Sequence, residues 1–351
     1  MNNLLKILGV ESLGVRGFSC FINMGSETIL LDPGIALGYT RYGLHPHPIQ
    51  AIRGYFIRKE IIDLWHISRI IVISHFHGDH VPLPNANPFQ LSLQTLRFPR
   101  NLEKIYVPSV KYLRGRSLHR FNALKELFGD KVVEVEGGYS EGPLSFYGPV
   151  PHGLNNSVPV MVTLIDIGSS RVLHAPDVQL LPRELVKIVV ETKPEIILTD
   201  GPPIYRYLSD LETVKKFLSL AEKNLYKLCR VANKITVDHH LLRCNLGYEW
   251  LKEQRERFMK IGCEVCSAAK HMGQKSLLLE AWRKTLYEIM PFDNKWFSPE
   301  HKYKETLINC MRIYKLFMNK LRKYSEEINE NIIACILNKI VKESSDVANP
   351  K

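Results

Sequence analysis

Four side chains that can bind a metal ion lie within six residues of one loop. They are His75, His77, Asp79 and His80, and they follow the apolar, β-branched run of residues 69–73, which predicts a buried strand. Neutral imidazole and carboxylate groups are the usual ligands of zinc and similar divalent metals. In extended backbone His75 and His77 point the same way. Asp79 and His80 point apart and can serve two metals. The loop therefore predicts a metal centre, in preference to a polar loop that happens to be rich in histidine.

Further metal-capable residues stand at the ends of later predicted strands. His152 precedes a glycine after one strand, although an isolated histidine is more often a surface or hydrogen-bonded residue. Asp177 closes another strand, where the alternative is a turn aspartate. His239 and His240 follow a third strand, and neighbouring strand residues point to opposite faces, so one of the two is expected to reach a metal. We favour His239, with His240 as the alternative. Arg243 can bind an anionic substrate group.

The elements that must position these residues alternate between strands and helices, which is typical of an α/β (α+β) protein. Runs of apolar residues predict strands at residues 5–10, 18–22, 28–32, 104–108, 132–135, 144–147, 158–167, 171–174, 195–200, 234–237 and 264–266. Helical spacing predicts helices at residues 48–67, 112–128, 182–191, 210–228, 242–258, 275–288, 302–324 and 326–341.

Composition is that of a soluble globular protein. The 351 residues are 45% hydrophobic and 24% charged, and no stretch approaches the roughly 20 apolar residues of a membrane span. The first residues lack the pattern of a signal peptide, so we expect a cytoplasmic protein without a membrane partner. The odd count of seven cysteines favours reduced thiols. Cys263 and Cys266 have zinc-ligand spacing, but no second pair exists.

The formal net charge is +11, and much of the excess follows residue 289. A basic chain tends to attract nucleic acid or other anionic partners, although a solvated charged face is the simpler interpretation. We predict a domain of residues 1–295 and a basic helical extension of residues 296–351. The extension is expected to pack on the core, and a homo-oligomer through these helices and contact with nucleic acid are further hypotheses.

The combination of motifs resembles the metallo-β-lactamase superfamily, and most of all an archaeal branch of predicted metal-dependent hydrolases. The motifs are Leu-Asp-Pro-Gly, Ser-His-Phe-His-Gly-Asp-His, His-Ala-Pro-Asp, Thr-Asp-Gly-Pro-Pro and Asp-His-His-Leu-Leu-Arg. The resemblance implies a four-layer αββα sandwich with the site at one edge of its two sheets. It also implies that His75, His77 and His152 bind one metal, that Asp79, His80 and His239 bind a second, and that Asp177 bridges both. Asp32 would support the loop by hydrogen bonding.

The resemblance further implies a hydrolase with two divalent ions, zinc by default and iron or manganese as alternatives. Asp79, Asp177 and Arg243 are the predicted catalytic residues. The expected substrate is a small-molecule ester, thioester, lactone, amide or phosphodiester, and the branch itself suggests none. A nuclease acting on RNA or DNA is one alternative. A non-catalytic metal-bound scaffold that binds a partner through its helical tail is another.

Overall fold

The computed structural model describes residues 4–324 and 327–348. Glu326, the predicted start of the last helix, lies outside the described residues. The first sheet has six strands in chain order, and the first three run antiparallel while the later ones join in parallel. Its strands are β1 (Leu5–Gly9), β2 (Ser19–Asn23), β3 (Thr28–Leu31), β4 (Ile70–Val72), β5 (Lys104–Pro108) and β6 (Val132–Val135).

The second sheet has seven strands, again in chain order from one edge to the other. Its first four strands pair antiparallel and its last four pair in parallel. The strands are β7 (Ser140–Glu141), β8 (Leu144–His152), β9 (Asn155–Asp166), β10 (Arg171–Ala175), β11 (Ile196–Asp200), β12 (Lys234–Asp238) and β13 (Glu264–Cys266).

Nine helices are found among residues 4–324 and 327–348, and five of them contact the sheets. They are α1 (Pro48–Ile67), α2 (Gly115–Phe128), α3 (Arg183–Thr192), α4 (Leu211–Leu228), α5 (Asn245–Met259), α6 (Ala268–His271), α7 (Arg283–Ile289), α8 (Glu300–Lys323) and α9 (Glu330–Ala348). The first two contact the first sheet, whereas α3, α5 and α6 contact the second. This confirms the predicted α/β (α+β) class, with two sheets, helices packed against each of them and a C-terminal helical extension.

Local sequence explains where the principal elements begin and end. Helix α1 starts at Pro48, whose fixed φ suits the first helical position, and His47 caps it by accepting from the backbone N–H of Ile49. It ends at Ile67, as the sequence predicted. Strand β4 is buried on both faces, because it lies between parallel neighbours under helices. The chain leaves this strand directly into the histidine loop.

The C-terminal helices pack on the rest of the chain. Helix α8 runs along α1, where Tyr314 stacks on Phe56 with ring centroids 5.7 Å apart. Trp296 is buried and stacks on Tyr303 at the same centroid distance. Helix α9 contacts α7 and α8. The boundary between residues 295 and 296 stays a prediction.

One predicted helix is shorter in the structure. Residues 275–288 were expected to be helical, but only α7 forms in this region. The preceding segment is irregular, and Leu277, Leu278 and Leu279 are all buried. Three consecutive buried leucines cannot lie on one helix face, so the segment fits an enclosed irregular path. Within residues 4–324 and 327–348, no helix is long and apolar enough to cross a membrane.

Candidate metal centre

The predicted metal-binding residues meet at one edge of the sandwich. The histidine loop follows β4 of the first sheet, while His152 ends β8 of the second. Asp177 follows β10, and His239 follows β12. The carboxyl ends of parallel strands meet at one sheet edge, which is why residues far apart in the sequence come together here.

Asp177 lies at the centre, and each of its oxygens faces a different set of histidines. The Oδ2 atom is 3.3 Å from His75 Nε2, 3.7 Å from His77 Nδ1 and 2.8 Å from His152 Nε2. The nitrogens of these three histidines and an oxygen of Asp177 all lie within 4.8 Å of one another. This group contains the residues predicted for the first metal.

The second oxygen of Asp177 faces the other predicted ligands. Its Oδ1 atom is 3.2 Å from His80 Nε2 and 3.3 Å from His239 Nε2. Asp79 Oδ2 is 3.6 Å from the same nitrogen of His239. Asp79, His80 and His239 form a compact group of their own. The structure thus brings the predicted residues together, and their roles as ligands stay a prediction.

Hydrogen bonds fix which ring nitrogen of each buried histidine carries a proton. His80 Nδ1 lies 2.8 Å from Asp32 Oδ2, so this nitrogen donates and Nε2 keeps its lone pair. Ser74 Oγ donates to the same carboxylate at 2.6 Å and accepts from His75 Nδ1 at 3.0 Å. The Ser74 backbone N–H donates to Asp32 Oδ1. The expected support of the loop by Asp32 is therefore present.

Glu11 performs the same task for His239. Its Oε2 atom is 2.7 Å from His239 Nδ1, and the Gly17 backbone N–H approaches that nitrogen at 3.3 Å. The carboxylate contact is shorter and charge-assisted, so Nδ1 carries the proton. The lone pair on Nε2 then faces Asp79 and Asp177.

His152 differs in its hydrogen bonding. Its Nδ1 accepts from the side-chain amide of Gln179 at 3.2 Å, so its Nε2–H donates to Asp177. Ligation through Nε2 requires the amide of Gln179 to present its oxygen instead, because only an acceptor places the proton on Nδ1. The position of His152 fits the first group, and its tautomer depends on Gln179.

Three buried polar atoms of the site have no hydrogen-bond partner among the residues that the structure describes. They are His75 Nε2, His80 Nε2 and Asp177 Oδ1. Leaving such atoms unpaired is costly, and nitrogen lone pairs repel a carboxylate oxygen at 3.2–3.3 Å unless a cation lies nearby. Divalent ions at the two groups would satisfy all three atoms, His75 in the first group, His80 in the second and Asp177 between them. The residues present therefore fit a metal ion.

The electrostatics agree with this fit. Burial alone would raise the pKa of Asp177, but His80, His240 and His239 hold it well below its usual range. Burial alone would lower the pKa of His80, but the carboxylates of Asp177 and Asp32 raise it well above its usual value. The site thus attracts positive charge, which a proton or a metal ion can supply. Burial lowers the pKa of His75 to about 3, so its ring is neutral.

His240 has a different environment from His239. Its Nδ1 donates to Asp200 Oδ2 at 2.6 Å and is 3.8 Å from Asp177 Oδ1. Asp200 also accepts from the Gln179 backbone N–H at 2.6 Å. Asp200 therefore orients His240. The geometry favours His239 as the ligand, because its Nε2 faces two carboxylates.

Arg243 is buried beside the second group. It is 3% exposed, and its Nε donates to Glu11 Oε1 at 2.6 Å. Its Nη2 is 3.0 Å from His239 Nε2 and 3.5 Å from Asp79 Oδ2. Burial lowers the pKa of this group, but Glu11, Tyr205, Glu280 and Asp79 together outweigh that effect and raise the pKa well above the usual value. Arg243 thus contacts predicted ligands. Its contact with an anionic substrate stays a prediction.

Backbone conformation at the site is unusual. Asp32, Asp177 and His239 have φ angles of 45°, 58° and 48°, in the left-handed region that non-glycine residues rarely adopt. Such strain clusters at functional sites, where surrounding contacts enforce it. Asp238 provides one such contact, since its Oδ1 accepts from the backbone N–H groups of Ser12 and His239.

The sequence analysis missed Glu11 and Gln179. Glu11 follows β1, and an acidic residue after a strand was a signal of the same kind as Asp32. Gln179 lies two residues after Asp177. The cysteine pair, by contrast, forms no metal group among the described residues. Cys263 Sγ instead lies 2.6 Å from Cys229 Sγ.

Comparison with known proteins gives the family. No protein-family model matches the chain. A UPF0282 protein of Methanosarcina mazei is 37% identical over 300 residues, which cover 85% of this chain and 96% of that protein. The chain belongs to the UPF0282 family. A UPF0282 protein of Thermococcus sibiricus is 31% identical over 315 residues, covering 83% of this chain and 98% of the relative. The UPF0282 relatives are archaeal, as the resemblance implied.

A solved structure of a CmlA beta-hydroxylase mutant aligns with a TM-score of 0.46 and 16% sequence identity. The alignment covers 75% of this chain and 52% of that one, so this chain spans about half the length of the hydroxylase.

Proposed function

We propose that this protein is a metal-dependent hydrolase with two adjacent divalent metal positions. His75, His77 and His152 would hold one ion, and Asp79, His80 and His239 the other, with Asp177 between them. Zinc is the first choice, and iron and manganese also suit nitrogen and oxygen ligands. Divalent ions bound here would lower the pKa of water and polarise the oxygen under attack.

The unpaired, buried atoms of the site carry this proposal. His75 Nε2, His80 Nε2 and Asp177 Oδ1 converge without a hydrogen-bond donor between them. A structural polar cluster of the same residues would be expected to pair these atoms. Asp32 and Glu11 keep the opposite ring nitrogens protonated, so the lone pairs stay directed at Asp177.

The remaining side chains orient the ligands. Asp32 holds both His80 and, through Ser74, His75. Asp238 accepts a hydrogen bond from the backbone N–H of His239 and so holds the strained backbone of that residue. Arg243, the predicted catalytic cation, neutralises Glu11 and lies beside Asp79. We propose that it positions these groups and balances their charge.

A metal and activity measurement tests the proposal. Purified protein loaded with Zn²⁺ or Mn²⁺ is expected to bind about two ions per chain by elemental analysis, and to hydrolyse at least one of bis-p-nitrophenyl phosphate, thioesters, lactones and RNA. Alanine at both His77 and Asp177 is expected to abolish metal binding and activity. Activity that survives in this double variant would refute the proposal.

His301→Ala is the matched control, because His301 is an exposed histidine on α8 and belongs to none of the metal-capable groups. It is expected to keep both metal content and activity. Two bound metals without activity on any substrate would favour the non-catalytic scaffold. Cytoplasmic location and oligomerisation through the C-terminal helices remain predictions, and light scattering on the purified protein checks the second.

A further inference from the structure

Two arginines of α2 lie beside the histidine loop. Arg120 Nη1 donates to the backbone oxygen of Phe76, between His75 and His77, at 2.6 Å. A Cβ atom at Gly78 would lie 3.6 Å from Arg120 Nη2. The guanidinium of Arg120 therefore runs along the loop that carries four predicted ligands, and a glycine leaves room for it.

Arg116 stands one helical turn before Arg120, so the two side chains share a face of α2. Arg116 is exposed, and neither arginine has an ion pair within residues 4–324 and 327–348. Burial and the charge of Arg116 lower the pKa of Arg120, while Asp79 raises it. Two neighbouring guanidinium groups repel each other, and an anion between them relieves that repulsion.

Arg120 borders the open side of the metal centre, and Arg116 lies one helical turn away on the same face of α2. The side chain of His77 is 36% exposed and that of Asp79 18%, whereas His75, His80 and His239 are almost fully buried. Substrate must approach from the side of His77 and Asp79. Arg120 donates to the backbone oxygen of Phe76, directly before His77, so an anionic group held by Arg120 lies at the entrance to the site.

We propose that Arg116 and Arg120 bind a phosphoryl oxyanion of the substrate at this entrance, so that the substrate is a phosphate ester. This inference rests on the proposed hydrolase function. The planar guanidinium presents paired hydrogen-bond donors that match the oxygens of a phosphate. Two guanidinium groups also suit the charge of a phosphate better than the single charge of a carboxylate. Arg243 is enclosed and already paired with Glu11, so it is not available for this task.

Specificity measured in single variants of the metal-loaded protein tests the proposal. The measured quantity is kcat/KM for bis-p-nitrophenyl phosphate divided by kcat/KM for uncharged p-nitrophenyl acetate. Arg116→Ala is expected to lower this ratio about tenfold, mainly through KM for the phosphate, because a charge-assisted contact is lost. Arg120→Lys is expected to lower it as well, since lysine keeps the charge but lacks the paired donors.

Arg114→Ala is the matched control. Arg114 is also exposed and lies at the start of α2, but its Nη1 donates to the backbone oxygens of Lys111 and Leu113. This variant is expected to keep the wild-type ratio. A p-nitrophenyl ester with a free carboxylate forms a third arm. If Arg116→Ala weakens its hydrolysis and leaves the phosphate ester unaffected, the phosphate assignment is overturned.

Binding of inorganic phosphate, measured by calorimetry, separates this inference from the proposed function. The dissociation constant is expected to rise about tenfold in Arg116→Ala and to stay constant in Arg114→Ala. If the metal-loaded wild type hydrolyses none of bis-p-nitrophenyl phosphate, thioesters, lactones and RNA, the proposed function fails, but this difference in phosphate affinity still supports the arginine site. Equal phosphate affinity in the wild type, Arg116→Ala and Arg120→Lys would overturn it.

Discussion

Gly34 is predicted to be essential for the position of the metal loop. It follows β3 and stands two residues after Asp32, and its backbone N–H donates to the backbone carbonyl oxygen of Asp32. A Cβ atom at Gly34 would overlap the backbone of Val81 and of His80, with His80 N at 2.5 Å. Backbone atoms cannot rotate away. Gly34→Ala must therefore displace His80 or the segment that carries Asp32, which holds the ring of His80.

The magnitude follows from the contact distances. An ordinary Cβ contact begins at 3.4 Å, so the 2.5 Å approach to His80 N requires a shift of about 0.9 Å. Overpacking costs roughly 1–3 kcal/mol, and the reduced freedom of the unfolded chain returns about 0.4–1 kcal/mol. We expect the free energy of unfolding to fall by roughly 1–2 kcal/mol. Displaced ligand support is expected to weaken metal binding by about 10–100-fold.

Urea unfolding and chelator competition measure these two effects. Gly54→Ala is the matched control, since Gly54 lies inside α1 and its Cβ would make only ordinary contacts with Leu37, at 3.5 Å and beyond. The free energy of unfolding of this control is expected to rise by about 0.5–1 kcal/mol, and its metal affinity is expected to stay unchanged. Unchanged metal affinity in Gly34→Ala, with an unchanged unfolding midpoint, would refute the reasoning.

Three further perturbations test other parts of the structure. Asp177→Asn is expected to lower the affinity of both metal positions, because Asp177 faces both groups of predicted ligands. Elemental analysis should then find less than one ion per chain. Retention of two ions would contradict the shared role of Asp177. Burial lowers the pKa of His47 to about 4 from an ordinary 6.5, so below pH 6.5 the unfolded chain binds a proton at His47 more readily than the folded chain does. The free energy of unfolding therefore falls as the pH drops from about 6.5 towards 4, by up to about 3 kcal/mol. Urea unfolding in the presence of EDTA should show that His47→Asn loses less stability on acidification than the wild type does. An equal loss of stability in both proteins would exclude His47 as its source. The oxidant diamide is expected to form a disulfide between Cys229 and Cys263, whose sulfurs are 2.6 Å apart, and mass spectrometry should show the loss of these two thiols. The variant Cys229→Ser should not form this disulfide. A wild-type protein that keeps every thiol would contradict the pairing.

Much of the centre could be predicted because its residues follow strands with strong local signals. The run before His75 is apolar and β-branched, and the histidine spacing is local to one loop. His152, Asp177 and His239 each follow a predicted strand as well. The resemblance to the metallo-β-lactamase superfamily, carried by the order of these motifs, implied that they meet at one edge of the two sheets.

The partners of these residues could not be predicted in the same way. Glu11 and His239 are 228 positions apart, and nothing near Glu11 in the sequence indicates which histidine it contacts. The choice between His239 and His240 depends on backbone direction. His239 has a positive φ, so simple strand alternation does not describe the pair.

The arginines show how burial separates residues that look alike in the sequence. Arg243 was the natural candidate for binding an anion, because it closes a histidine motif. The fold pairs it with Glu11 inside the protein, so its charge is already balanced and its surface is covered. Arg116 and Arg120 lie in the helix predicted at residues 112–128, and no motif distinguishes them in the sequence. Their position beside the histidine loop, without a carboxylate partner among the described residues, leaves their charge available. We therefore propose that the entrance selects the anionic substrate and that the buried Arg243 supports the predicted metal ligands.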